Sequence, residues 1–148
     1  MDSQPLDPNY MSADEVHQGL DHLEQSFGPE QRIVDCRSAL KRLEGDCELF
    51  QDLLGFYFSD APKHVANIRA AVEAEDAEAL RRAAHTLKGL VSNFDARTTM
   101  ELAAALEDLG RDGNVAEARK RVPALEHQID RLTAALAESF ALRDRPGV

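Results

Sequence analysis

In the stretch Ala118-Arg119-Lys120-Arg121-Val122-Pro123-Ala124-Leu125-Glu126-His127-Gln128-Ile129-Asp130-Arg131-Leu132-Thr133-Ala134-Ala135-Leu136, the residues Ala118, Val122, Leu125, Ile129, Leu132 and Leu136 return at alternating steps of four and three. Apolar residues at these steps share one face of an α-helix, and the face forms a seam of the coiled-coil type. Pro123 predicts a bend, because proline lacks the N–H that a helix interior uses. No segment of the chain alternates with period two over a useful length, so strands are not expected. The fold class is therefore all-α.

Upstream of the seam, Asp112-Gly113 marks a turn and Asn114 can cap the helix that follows. A helix from about 96 to 109 runs through Leu102, Leu106 and Leu109 and is stopped by Gly110. Before it, Asp76 can cap a helix whose buried stripe is Leu80, Ala84, Leu87 and Val91, extended by Phe94; Glu78 suits its positive end. Asp46 opens another, with Leu49, Phe50, Leu53, Leu54, Tyr57 and Phe58 on one face. Ser59, Asp60 and Pro62 interrupt it before Val65, Ile68 and Val72 continue the spacing, which predicts a kinked or broken pair over 47–74. Asp35 can cap a short helix over 36–43, closed by Gly45.

At the N-terminus, residues 1–11 are polar, contain Pro5 and Pro8, and read as disordered. Ser12 and Glu15 have capping-box spacing, and Val16, Leu20, Leu23 and Phe27 follow on one face of an accessory helix ending near Gly28. Its apolar strip is expected to cover the main body away from the site described below. The most economical packing is an antiparallel up-down-up-down four-helix bundle with additional short N-terminal helices. The division is residues 1–30 as tail and accessory helix, 31–142 as bundle, and 143–148 as a disordered C-terminal tail.

A chain of 148 residues suits one domain plus a tail. Its formal net charge of −10 opposes binding to nucleic acid or to anionic membrane. No apolar run approaches the roughly 18 residues of a membrane span, and Met1–Tyr10 has neither a basic start nor an apolar core, so a cytoplasmic location is expected. Cys36 and Cys47 match no zinc or redox spacing and read as ordinary reduced thiols. His17, His22, His64 and His127 do not converge with other ligands, so neither a metal site nor a cofactor is expected. No Gly-rich phosphate loop or nucleophile elbow occurs, which argues against an ATP-dependent kinase.

The remaining histidine stands in Ala83-Ala84-His85-Thr86-Leu87-Lys88-Gly89. At about 100° per residue, His85 lies about 140° from the inward stripe and points to solvent. Arg81 at i−4, Lys88 at i+3 and Gly89 at i+4 are its surface neighbours. Neutral imidazole is a competent nucleophile near physiological pH, and the two cations can offset the charge of a phosphoryl group placed on it. A helix-interior glycine costs roughly 1 kcal/mol relative to alanine, and access for another protein's surface is a physical reason for it.

The segment Ala84-His85-Thr86-Leu87-Lys88-Gly89, continuing to Phe94 and Ala96, resembles the signature of the histidine-containing phosphotransfer domain. Similarity extends through Ala39-Leu40, Leu43-Glu44-Gly45-Asp46, Ala79-Leu80-Arg81-Arg82 and Leu106-Glu107, covering roughly residues 33–140. The resemblance implies that His85 accepts a phosphoryl group from a receiver-domain aspartyl phosphate of a hybrid histidine kinase and passes it to the receiver of a response regulator. By the same resemblance Lys88 gives electrostatic support and Gly89 gives access, while Arg81, Arg82 and Ser92 are assigned to the partner-binding surface. The chain itself is expected to be a monomer without cofactor, the magnesium ion residing on the partner receiver. Asp95-Ala96 departs from the family's common Gly-Ala pair; Asp tolerates turn conformations and can cap the next helix. The rival reading is a non-catalytic helical adaptor using the same surface.

Overall fold

The computed structural model describes residues 10–26 and 34–140, and every regular element among them is helical. In chain order these are α1 (Ala13–Ser26), α2 (Cys36–Arg42), α3 (Cys47–Glu73), α4 (Ala77–Ser92), α5 (Arg97–Arg111) and α6 (Val115–Phe140). Residues 1–9 of the stretch expected to be disordered over 1–11, the tail expected at 143–148, Phe27 and the stop at Gly28 lie outside the described residues.

Helices α3 to α6 make the bundle: each packs on the next, and α6 closes on α3. Contacts between α3 and α6 run in opposite order, from Phe50 with Phe140, through Tyr57 with Thr133, to Val72 with Arg119. The same reversal relates α4 to α5, with Ala77 and Arg81 against Gly110 but His85 and Lys88 against Glu107. The six seam residues of α6 are all buried, as are Leu80, Ala84, Leu87 and Val91 of α4. Phe94 is fully buried and meets Phe50 and Tyr57 edge-on, at ring-centroid distances of 6.2 and 5.9 Å. Burying such side chains, at about 1.5–3 kcal/mol each, fixes the rotation of every bundle helix.

Side-chain caps start the helices where the sequence places them. Asp35, Asp46 and Asp76 accept from the backbone N–H groups of Ser38, Leu49 and Ala79, each at 3.0 Å. Asn114 accepts from Glu117 N at 3.2 Å. Ser12 and Glu15 close a reciprocal capping box at the head of α1.

Four expectations are corrected. Helix α3 runs unbroken through Pro62, so the residues expected as a kinked or broken pair over 47–74 form one continuous helix; α6 likewise continues through Pro123, where the sequence predicts only a bend. A proline inside a helix forfeits one hydrogen bond and clashes locally, at roughly 3 kcal/mol. In α3, however, Tyr57 and Ala61 on one side and Ile68 and Val72 on the other are all buried, and this packing holds the helix together. Gly110 does not stop α5 but lies within it; the turn belongs to Gly113, at φ 76°. Asp95 takes a left-handed φ of 50° but does not cap α5, whose N-cap Ala96 has no side-chain bond; its carboxylate instead accepts from Arg42 at 2.5 Å. Residues 10 and 11 are not loose: Tyr10 bonds Asp52, and the Gln51 amide pairs with both backbone groups of Met11, at 2.7 and 2.9 Å.

Helix α1 lies on α6. Val16, Leu20 and Leu23 are buried there, so the N-terminal strip packs on the body. Cys36 is buried, and burial together with Asp35 and Asp95 pushes its thiol up, keeping it protonated.

Candidate functional site

The inward stripe of α4 leaves His85 on the opposite face, with its side chain 63% exposed. The ring is nevertheless held. Its Nδ1 lies 2.8 Å from Oε2 of Glu107 on α5, and Oε1 of the same carboxylate accepts from Lys88 Nζ at 2.7 Å. Arg111, one turn further along α5, approaches the carboxylate to 3.6 Å.

Glu107 is only 7% exposed, and a buried carboxylate is tolerated when it is paired and hydrogen-bonded. The Lys88 hydrogen bond, with a smaller contribution from His85, holds its carboxyl below the usual carboxylate range although burial pulls the other way. An ionised carboxylate can only accept, so the shared proton sits on His85 Nδ1. In the neutral ring this leaves the lone pair on Nε2, on the edge of the imidazole turned from Glu107. The arrangement presents a nucleophilic nitrogen to solvent in a fixed tautomer.

Glycines set the geometry on both sides. A Cβ at Gly110 would come within 2.8 Å of Arg81 N and 2.9 Å of Ala77 O, so its absence lets α5 approach α4 closely one turn from Glu107. A Cβ at Gly89 would meet nothing within 4 Å, so the space beside His85 is open.

Of the residues singled out from sequence, Lys88 joins the His85 cluster through Glu107, and Gly89 borders it. Arg81 turns to Glu78, its Nε and Nη2 donating at 2.9 and 2.6 Å, and does not touch the histidine. Arg82 is exposed on the other flank of α4, where it and Thr86 border a groove of about 480 Å³ against α3. Ser92 is half-buried and donates to Gly89 O at 2.7 Å.

The sequence gives Glu107 no role of its own, yet its carboxylate stands beside His85. The signal lay in α5 itself: Glu107 falls four residues after Ala103 and three before Gly110, on the face that the fold buries. Among the described residues no cluster of His, Cys, Asp and Glu is arranged to hold a metal ion. No helix among them is long and apolar enough to cross a membrane.

The family model described as Hpt domain matches residues 52–135. Among solved structures, the chain is similar to histidine-containing phosphotransfer protein B from Pseudomonas aeruginosa PAO1, with a TM-score of 0.69 and 26% identity. That match covers 76% of this chain and 97% of the other. No curated protein sequence matches.

Proposed function

The chain belongs to the Hpt domain family, and on that premise we propose that His85 is its phosphoacceptor, exchanging the phosphoryl group with receiver domains of a multistep phosphorelay. Members of this family are phosphotransfer carriers rather than kinases, with receiver domains as partners. The observation that carries the assignment is the exposed His85 ring, held through Nδ1 by Glu107 with Nε2 free.

In this reading Nε2 attacks the phosphorus of an aspartyl phosphate on the receiver of a hybrid kinase. The N–P bond forms as the acyl P–O bond breaks, and the aspartate leaves as a carboxylate. A response-regulator receiver then takes the group by the reverse chemistry. Lys88 supplies positive charge beside the acceptor, and the open space over Gly89 admits the receiver. Arg81, Arg82 and Ser92 border the docking face on α4, and the receiver contributes the magnesium ion and the remaining charge stabilisation. The chain acts as a cytoplasmic monomer and needs no cofactor of its own.

The test is incubation with receiver domains carrying labelled aspartyl phosphate, followed by localisation of the label and a chase with a second, unphosphorylated receiver. The expected result is one acid-labile, base-stable phosphohistidine at position 85 that empties into the second receiver. A protein that binds receivers but takes no label would be an adaptor instead.

A further inference from the structure

We infer that Arg42 of α2 caps the C-terminus of α4, the helix that carries His85, and that Asp95 is the positioning residue that aims it there. The inference stands apart from what His85 carries.

The last four carbonyls of a helix have no partner within it. In α4 these belong to Gly89, Leu90, Val91 and Ser92. Ser92 Oγ donates to Gly89 O at 2.7 Å, and the backbone N–H groups of Asn93 and Phe94 donate to Leu90 O and Val91 O at 3.4 and 3.1 Å. Ser92 O accepts twice, from Asp95 N at 3.1 Å and from Arg42 Nη2 at 3.3 Å. The last turn of α4 carries no basic residue of its own, so the cation that its negative end favours comes from α2. Arg42 is also the last residue of α2, so one guanidinium serves the C-termini of two helices.

The turn between α4 and α5 shows what holds the guanidinium in place. Asp95 adopts φ 50°, a left-handed conformation that suits glycine better, and its carboxylate does not cap α5. Instead it accepts from Arg42 Nη1 at 2.5 Å, while Nη2 of the same guanidinium donates to Ser92 O. A planar fork that meets two acceptors at once is fixed in orientation as well as in position. At the other end of α2, Asp35 N donates to Phe94 O at 2.9 Å, so the helix meets this turn at both ends. Asp35 and Arg97 are the other charged groups lining the groove between α2 and the turn. The Asp35 carboxylate caps α2 through Ser38 N, which leaves Arg97 as the rival cation in that groove.

The test is amide hydrogen exchange, followed by NMR on the full chain, at Asn93 and Phe94, whose N–H groups close the last turn of α4. In Arg42→Gln exchange at both should quicken by about fivefold, with amides of the α6 interior as the unchanged reference. Asp95→Gly should quicken it to a similar degree, although glycine is the better residue for the left-handed backbone. Combining the two changes should add nothing, because both remove the same contact. Arg97→Gln should leave both amides as they are. In the wild type, raising salt from about 0.05 to 1 M should quicken them, since screening weakens an exposed ion pair, and this arm decides the matter should a variant fold poorly. Unchanged exchange in Arg42→Gln, slower exchange in Asp95→Gly, additive effects in the double variant, an Arg97→Gln variant that matches Arg42→Gln, or a wild type indifferent to salt would overturn the inference.

Discussion

Gly89 occupies a helix interior where alanine would be more favourable by about 1 kcal/mol, yet nothing in the fold would obstruct a Cβ there. Its benefit must therefore lie outside the folded chain, in what approaches His85. The variant Gly89→Leu is expected to keep its helix content and to melt at the same or a slightly higher temperature, as followed by circular dichroism. Transfer from a phosphorylated receiver should slow by on the order of a hundredfold, because a side chain one turn from the nucleophile displaces the incoming phosphorus from its reactive distance. Normal transfer in that variant would make the glycine incidental. Lys88 and His85 show the complementary case, in which two residues exposed or half-exposed on one helix are ordered by a single buried carboxylate from the next.

The approach of α4 and α5 depends on Gly110, and here the obstacle to a Cβ is backbone rather than a movable side chain. Gly110→Ala should therefore destabilise the protein by about 1–3 kcal/mol in urea unfolding, even though alanine is the better helix former. It should also widen the gap that Glu107 spans to His85, giving a loss of transfer larger than the stability change explains. The same glycine shows what the sequence made legible and what it hid. The α6 seam and the α4 stripe were readable because large apolar residues recur at helical spacing and all of them are buried. On α5 the leucines misled: Leu102 and Leu109 are only half-buried, whereas Thr99, Ala103 and Gly110 face inward because the helices meet at small residues. Glu107 went unassigned for the related reason that its partners stand on another helix, which a wheel drawn for one helix cannot display. Pro62 allows a broken pair on sequence because only local propensity can be weighed before the packing on either side is known.

Over the whole molecule, α1 seals the far end of α6 from the site. Gly19 lets it lie so close that a Cβ there would fall 2.5 Å from Ser139 O and 2.6 Å from the Phe140 ring. Val16, Leu20 and Leu23 together lose nearly all their exposure, and each such burial is worth about 1.5–3 kcal/mol. Deleting residues 1–28 should lower the melting temperature by on the order of 10 °C while leaving phosphotransfer intact, since His85 and Glu107 lie on α4 and α5. Loss of transfer at full stability would contradict that separation of roles. The central claim, that His85 alone carries the phosphoryl group, is tested most directly by comparing wild type with His85→Gln in the presence of a phosphorylated receiver domain. The exposed position of His85 means that the substitution should change stability by well under about 1 kcal/mol, so loss of label cannot be blamed on unfolding. The account predicts an acid-labile, base-stable label on the wild type and none on the variant; label on His85→Gln, or a wild type that accepts none from a broad panel of receivers, would contradict it.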